Sequence, residues 1–156
     1  MIAVRFGRVS TSLGPMWVAE TDAGVAASSR ADDPSEFLAA LARRFGSRAL
    51  EAGSVDGGWV DDGRSPRVDL RGLSPFDTSV YQAVRQVPPG STITYGEVAA
   101  QIGSPGAARA VGGAMARCPL FPAVPCHRVV RASDGWSGWG GDPATKRRLL
   151  RRERSD

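Results

Sequence analysis

The chain has 156 residues, of which 42% are apolar and 23% charged, with a formal net charge of +4 and a pI near 9.8. That length and balance fit one ordinary domain or two small ones with a real core, and exclude a disordered polyelectrolyte. One histidine and two cysteines are too few for a structural zinc site or a secreted disulfide framework, so no metal and no cofactor is expected.

No apolar run is long enough to span a bilayer and no signal core opens the chain, which points to the cytoplasm and away from a membrane. Residues 2–10 and 15–21 read as strands joined by a turn at Ser12-Leu13-Gly14-Pro15. Thr21-Asp22-Ala23-Gly24 reads as a hairpin turn into a third strand at 25–29. Asp33-Pro34 then predicts a helix with Asp33 as N-cap, an apolar face of Phe37, Leu38, Leu41 and Phe45, and Gly46 as its end. Residues 51–66 are rich in Gly, Asp and Ser and read as a loop, with Trp59-Val60 as an isolated strand. Arg67-Val68-Asp69-Leu70 reads as a last short strand. Residues 1–71 are therefore expected to form a small supporting sheet-and-helix domain.

From 72 to 156 the pattern is mostly helical, so the fold class expected is α+β with a second, helical domain. Ser74-Pro75 caps a helix whose face carries Phe76, Val80, Ala83, Val84 and Val87. Pro88-Pro89-Gly90 breaks it, and Thr94 with Glu97 makes a capping box at the head of a helix from Tyr95 to Ile102. Gly103 is placed to close that helix, and Ser104-Pro105 starts another from Gly106 to Arg117. Two short helices joined by a Gly-Ser turn make a helix-turn-helix. Gly and Ala line the second helix, which suits close packing in a core or close approach to a duplex. Arg109, a long cation among alanines, favours the duplex.

Val124-Pro125-Cys126-His127-Arg128-Val129-Val130-Arg131-Ala132 places the only histidine beside a cysteine. A thiol becomes a nucleophile by losing its proton, which a neighbouring imidazole assists; a structural cysteine beside an incidental histidine is the alternative. Trp136 and Trp139 in the following glycine-rich loop could wall a pocket for a flat ring or pack back on the body. Asp142-Pro143 starts a last helix with Ala144, Leu149 and Leu150 as apolar contacts. Lys146, Arg147, Arg148, Arg151 and Arg152 read as a solvated face, and Glu153 as a group able to orient a histidine. From Arg109 onward the only acids are Asp134, Asp142, Glu153 and Asp156, so the positive excess belongs to the C-terminal part.

From Phe76 to Glu153 these residues resemble the O6-alkylguanine-DNA alkyltransferases. The matching strings are Tyr95-Gly96, Pro105-Gly106-Ala107-Ala108-Arg109-Ala110-Val111-Gly112, Val124-Pro125-Cys126-His127-Arg128-Val129-Val130, Gly138, Gly140-Gly141, Lys146 and Leu149-Leu150. The resemblance implies irreversible, stoichiometric transfer of an alkyl group from guanine O6 to Cys126, activated through His127 and Glu153. It implies that Tyr95 donates a proton toward the leaving base and that the damaged nucleotide is flipped out of the duplex. It implies a monomer acting on double-stranded DNA, with Arg109 filling the vacated stack and Gly106, Ala107, Ala108, Gly112 and Arg131 against the DNA. Met115, Val129, Trp139 and Gly140 would line the base pocket.

Two positions depart from the family pattern. Cys118 stands before Pro119 where an asparagine is usual, and Trp139 stands where tyrosine is common. Three rival classes are a non-reactive sensor of alkylated DNA, a helix-turn-helix regulator and a Cys-His hydrolase. Relatives of the sensor kind carry tryptophan in place of the cysteine, a regulator would need polar side chains on its reading helix, and a hydrolase would need an oxyanion hole.

Overall fold

The computed structural model describes residues 1–133 and 143–155, and these form an α+β chain divided into two units. The first comprises Met1–Leu73 with Pro119–Ala123, the second Ser74–Cys118 with Val124–Asp156.

In the first unit, β1 (Val4–Thr11), β2 (Gly14–Thr21) and β3 (Gly24–Ser29) run antiparallel in sequence order. Thr11 fixes the first turn by donating to the Gly14 carbonyl at 2.8 Å and accepting from the Leu13 amide at 3.0 Å. Gly14 there has a φ of +93°, a conformation that disfavours any other residue. Helix α1 (Ser35–Phe45) packs Phe37 and Leu41 onto Val4, Ala19, Ala26 and Ala27 of the sheet. Small side chains on β2 and β3, Ala19, Ala26 and Ala27, leave room for Phe37 and Leu41 against the sheet. Ser28 extends the β3 edge by donating to the Pro119 and Phe121 carbonyls at 2.8 and 2.6 Å.

Four local expectations change here. Helix α1 begins one residue later, because Asp33 accepts from both the amide and the hydroxyl of Ser35 and so closes a turn before the helix. A fourth strand, β4 (Leu50–Ala52), pairs parallel with β1, although it lacks β-branched residues. Trp59-Val60 is helical, not extended, in the single turn α2 (Trp59–Asp62). Asp56 accepts from the Gly58 amide before it, and Gly63 takes the left-handed conformation after it. Arg67–Leu70 makes only an isolated bridge from Val68 to Val25, so its register is held instead by the buried Asp69, which bonds Thr21 and Arg71.

In the second unit α3 (Pro75–Val84) starts as expected, the Asp77 amide donating to Ser74 Oγ at 3.1 Å. It buries Val80, Tyr81 and Val84, and the Tyr81 hydroxyl donates to the Ala114 carbonyl at 2.7 Å. Helix α4 (Tyr95–Gln101) carries the complete capping box, with Thr94 and Glu97 bonded reciprocally at 3.0 Å, and Gly103 ends it at a φ of +80°. Helix α5 (Ala108–Ala116) begins after Gly106, because Ser104–Ala107 close a separate turn. A short parallel pair, β5 (Ile93–Thr94) with β6 (Val129–Val130), and the last helix α6 (Pro143–Ser155) complete the unit. Among the described residues no helix is long and apolar enough to cross a membrane.

Candidate active site

Cys126 opens a single 3-10 turn, Cys126–Arg128, directly before β6. Pro125, at φ −78° and ψ 68°, makes an inverse γ-turn in which the Cys126 amide donates to the Val124 carbonyl at 2.8 Å. The Arg128 amide then donates to the Pro125 carbonyl at 2.9 Å. The sequence forces this tight geometry through proline's fixed φ, and apolar Val124, Val129 and Val130 bury both flanks. Cys126 is 1% exposed and His127 3% exposed.

Helix α6 brings its carboxylate to this turn. The His127 ring donates from Nε2 to Glu153 Oε1 at 2.7 Å, which leaves Nδ1 as the ring nitrogen able to accept a proton. Arg128 forks onto the same carboxylate, with Nε 3.1 Å from Oε2 and Nη2 2.7 Å from Oε1, while its Nη1 donates to the Val87 carbonyl at 2.8 Å. Burial opposes the charge on Glu153, but the bonds from His127 and Arg128 outweigh it and hold the carboxyl at about 2. Burial pushes the His127 pKa below its ordinary 6.5, with Glu153 only partly offsetting it, so the imidazole is neutral near pH 7.

The Cys126 thiol is pushed well above its ordinary range by a hydrogen bond with the Cys118 side chain and then by burial, with Lys146 pulling the other way. The resting site is therefore a protonated thiol beside a neutral imidazole, not a thiolate-imidazolium pair. What it can do is give up one proton to a base already oriented by a carboxylate.

Lys146 corrects the sequence reading. It is fully buried and its ammonium donates to the Val129 carbonyl at 2.8 Å, one residue past the reactive turn, so it does not belong to a solvated face. The available signal was helical spacing: Lys146 lies three and seven positions before Leu149 and Glu153, hence on their face of α6. Ala144, expected to be an apolar contact, is exposed, whereas Leu149 and Leu150 are buried. Arg128, given no role by the sequence reading, holds the catalytic carboxylate candidate in place.

The other expected site residues fall into three groups. Met115 and Val129 are buried, and Tyr95, half-buried, follows Thr94, whose register partner is Val130. Arg109 and Gly106 are exposed, Ala107, Ala108 and Gly112 half-buried, and Arg131 lies exposed just past β6. A methyl group added at Gly106 or Gly112 would meet nothing within 4 Å. Those glycines are therefore not required by packing within the chain, which removes the core-packing explanation for them. Trp139 and Gly140 lie outside the described residues.

Comparison with known proteins places the same half of the chain in one context. Residues 75–155 match the model of the 6-O-methylguanine DNA methyltransferase DNA-binding domain. A methylated-DNA–protein-cysteine methyltransferase from Mycolicibacterium paratuberculosis is 51% identical over 87 residues, covering 56% of this chain and 52% of the relative. The chain spans about half the length of the curated relatives it matches. The crystal structure of a Mycobacterium tuberculosis O6-methylguanine methyltransferase is 32% identical, with a TM-score of 0.67 over 99% of this chain and 94% of that one. The OGT of the same organism in complex with DNA is also 32% identical, with a TM-score of 0.67 over 97% of this chain and 93% of that one.

Proposed function

The chain belongs to the 6-O-methylguanine DNA methyltransferase family, and from that premise we propose that it repairs DNA by taking the alkyl group of O6-alkylguanine onto Cys126. The observation that carries the reading is the 2.7 Å bond from His127 to Glu153 beside a buried cysteine. In this reaction Cys126 Sγ forms a bond to the alkyl carbon as that carbon's bond to guanine O6 breaks. The thiol proton passes to His127, whose new positive charge Glu153 stabilises. Tyr95 supplies a proton toward the departing base, because guanine expelled as an anion is a poor leaving group. The product is a thioether with no route back to the thiol, so each molecule reacts once.

Duplex DNA hides the O6 group, so the damaged nucleotide is rotated out at a cost of about a few kcal/mol. Helix α5 supports that step: Gly112 and the preceding Gly106 have open space beside them, and the exposed Arg109 in its first turn would fill the gap. Gly106, Ala107, Ala108, Gly112 and Arg131 lie against the DNA, and Met115, Val129, Trp139 and Gly140 line the base pocket. The protein acts as a monomer on double-stranded DNA, in two domains divided near residue 71, without a cofactor and in the cytoplasm.

Intact-mass measurement after incubation with a duplex carrying O6-methylguanine tests the reading. The expected result is a gain of one CH2 per molecule on the peptide containing Cys126, absent in Cys126→Ala. An unmodified protein after prolonged exposure would reject alkyl transfer in favour of a binding protein.

A further inference from the structure

Helix α6 turns one side toward the reactive turn, and its other side has no role in the reaction above. Lys146, Leu149 and Leu150 are buried and Glu153 is bonded to His127 and Arg128, which defines the inward side. Arg147, Arg148, Arg151, Arg152 and Arg154 are all exposed. At 3.6 residues per turn these five share one arc of about 160°, opposite the arc of about 100° that holds the four inward residues. Of the chain's 20 Lys and Arg they are five, which leaves 15 against 16 acidic residues. The positive excess of the whole chain thus sits on one side of one helix. Internal bonding does not explain it, because Arg148, Arg152 and Arg154 make no hydrogen bond or ion pair with another described residue. Like charges four positions apart, as at 147 and 151 and at 148 and 152, oppose helix formation. The helix dipole favours Arg152 and Arg154 in the last turn but not Arg147 and Arg148 in the middle.

We propose that this arc is a second DNA-backbone surface, separate from α5, that grips the phosphates of duplex DNA without reading its sequence. From Arg147 to Arg154 the helix advances about 10 Å, an axial length over which one strand carries about three phosphates. Guanidinium groups bond phosphate oxygens in pairs, and such contacts carry no base preference. A lipid surface fits less well. A helix lying on a bilayer needs apolar side chains on its outer side, whereas Leu149 and Leu150 are buried and Ala144 is the one exposed apolar residue among the described side chains of α6. A grip indifferent to sequence keeps the chain on undamaged DNA, where a rare lesion must be found.

The choice of DNA as partner rests on the function proposed above, but an undamaged duplex tests the surface without alkyl transfer. Affinity of the full chain for a labelled undamaged duplex is followed by fluorescence anisotropy from about 50 to 200 mM salt. Arg148→Gln, Arg152→Gln and Arg154→Gln together should lower the slope of log affinity against log salt by about 2–3, and weaken binding more than about tenfold. Lysine at the same three positions should keep the wild-type slope. With saturating O6-methylguanine duplex the glutamine variant should still gain one CH2, because the inward side of α6 is untouched. An unchanged slope in the glutamine variant, or an equal fall with lysine, would overturn the inference. So would binding to anionic vesicles tighter than to duplex and abolished by the glutamine substitutions. A slope that falls as expected while wild-type protein gains no CH2 would reject the proposed function and leave this surface standing.

Discussion

Glu153→Ala tests the centre of the site through stability and ionisation as well as activity. The Glu153 side chain is 13% exposed, that of Arg128 14% and that of His127 4%. Removing the carboxylate strips the ring bond of 2.7 Å and the Arg128 fork, and leaves the guanidinium with its bond to the Val87 carbonyl. Breaking a fully buried ion pair costs about 3–5 kcal/mol, and the residual exposure of Arg128 lowers the expectation to about 2–4 kcal/mol. For a chain of this length that lowers Tm by roughly 5–15 °C. Urea unfolding with an unchanged m-value is the assay. A second readout is available because His127 is the only histidine, so its ring protons titrate by NMR without ambiguity. Wild-type His127 should titrate below 6.5, and below that again in Glu153→Ala, since the carboxylate favours the protonated ring. A stability loss under about 1 kcal/mol, the range of an exposed pair, or an upward move of the titration would refute the reasoning.

Other expectations concern the surrounding groups. Lys146→Met should move the onset of thiolate absorbance at Cys126 to higher pH and slow alkyl transfer at neutral pH, since the ammonium opposes the rise of the thiol; unchanged onset would reject an electrostatic role for it. Stability should fall on acidification in two stages. His127 is held below its unfolded 6.5, so the unfolded chain takes up the proton first and stability drops as pH falls through 6.5 toward the folded value. Glu153 and Asp69, both near 2 when folded, add stability above their ordinary 4.5 and 3.8 that is lost as pH falls toward 2. Urea midpoints across pH, with Glu153→Gln removing part of the lower stage, check this. Arg109→Ala should slow transfer from duplex DNA more than from the free alkylated base, because only the duplex requires extrusion; equal slowing would remove its intercalating role.

Local chemistry was legible where it acts within a few residues. Ser74-Pro75, the Thr94 and Glu97 box and Gly103 each satisfy backbone groups of their own helix, so the sequence carries the whole cause. Trp59 was misread although its cause is also local, and Lys146 because its cause is not. Trp59 has strand propensity, but the turn residues Asp56 and Gly63 on either side decide its conformation. Lys146 has the composition of a surface residue, and only the tertiary placement of the Val129 carbonyl makes its burial tolerable. That carbonyl is 17 positions away in sequence.

The burial of Cys126 bears on why its thiol rests protonated. On the function proposed above, a reagent that reacts once is spent by any electrophile that reaches it, so a standing thiolate would be a liability. Here burial and the neighbouring thiol keep the proton on sulfur, while the base that must take it is neutral and already aligned by Glu153. On that function the energetic cost of ionisation is deferred to the encounter with the alkylated base, where the developing imidazolium sits 2.7 Å from a carboxylate. Substituting asparagine for Cys118 separates the two contributions. It removes the second thiol but not the burial, so thiolate absorbance should appear at lower pH than in wild type yet above that of an exposed cysteine. An onset unchanged from wild type would assign the whole effect to burial.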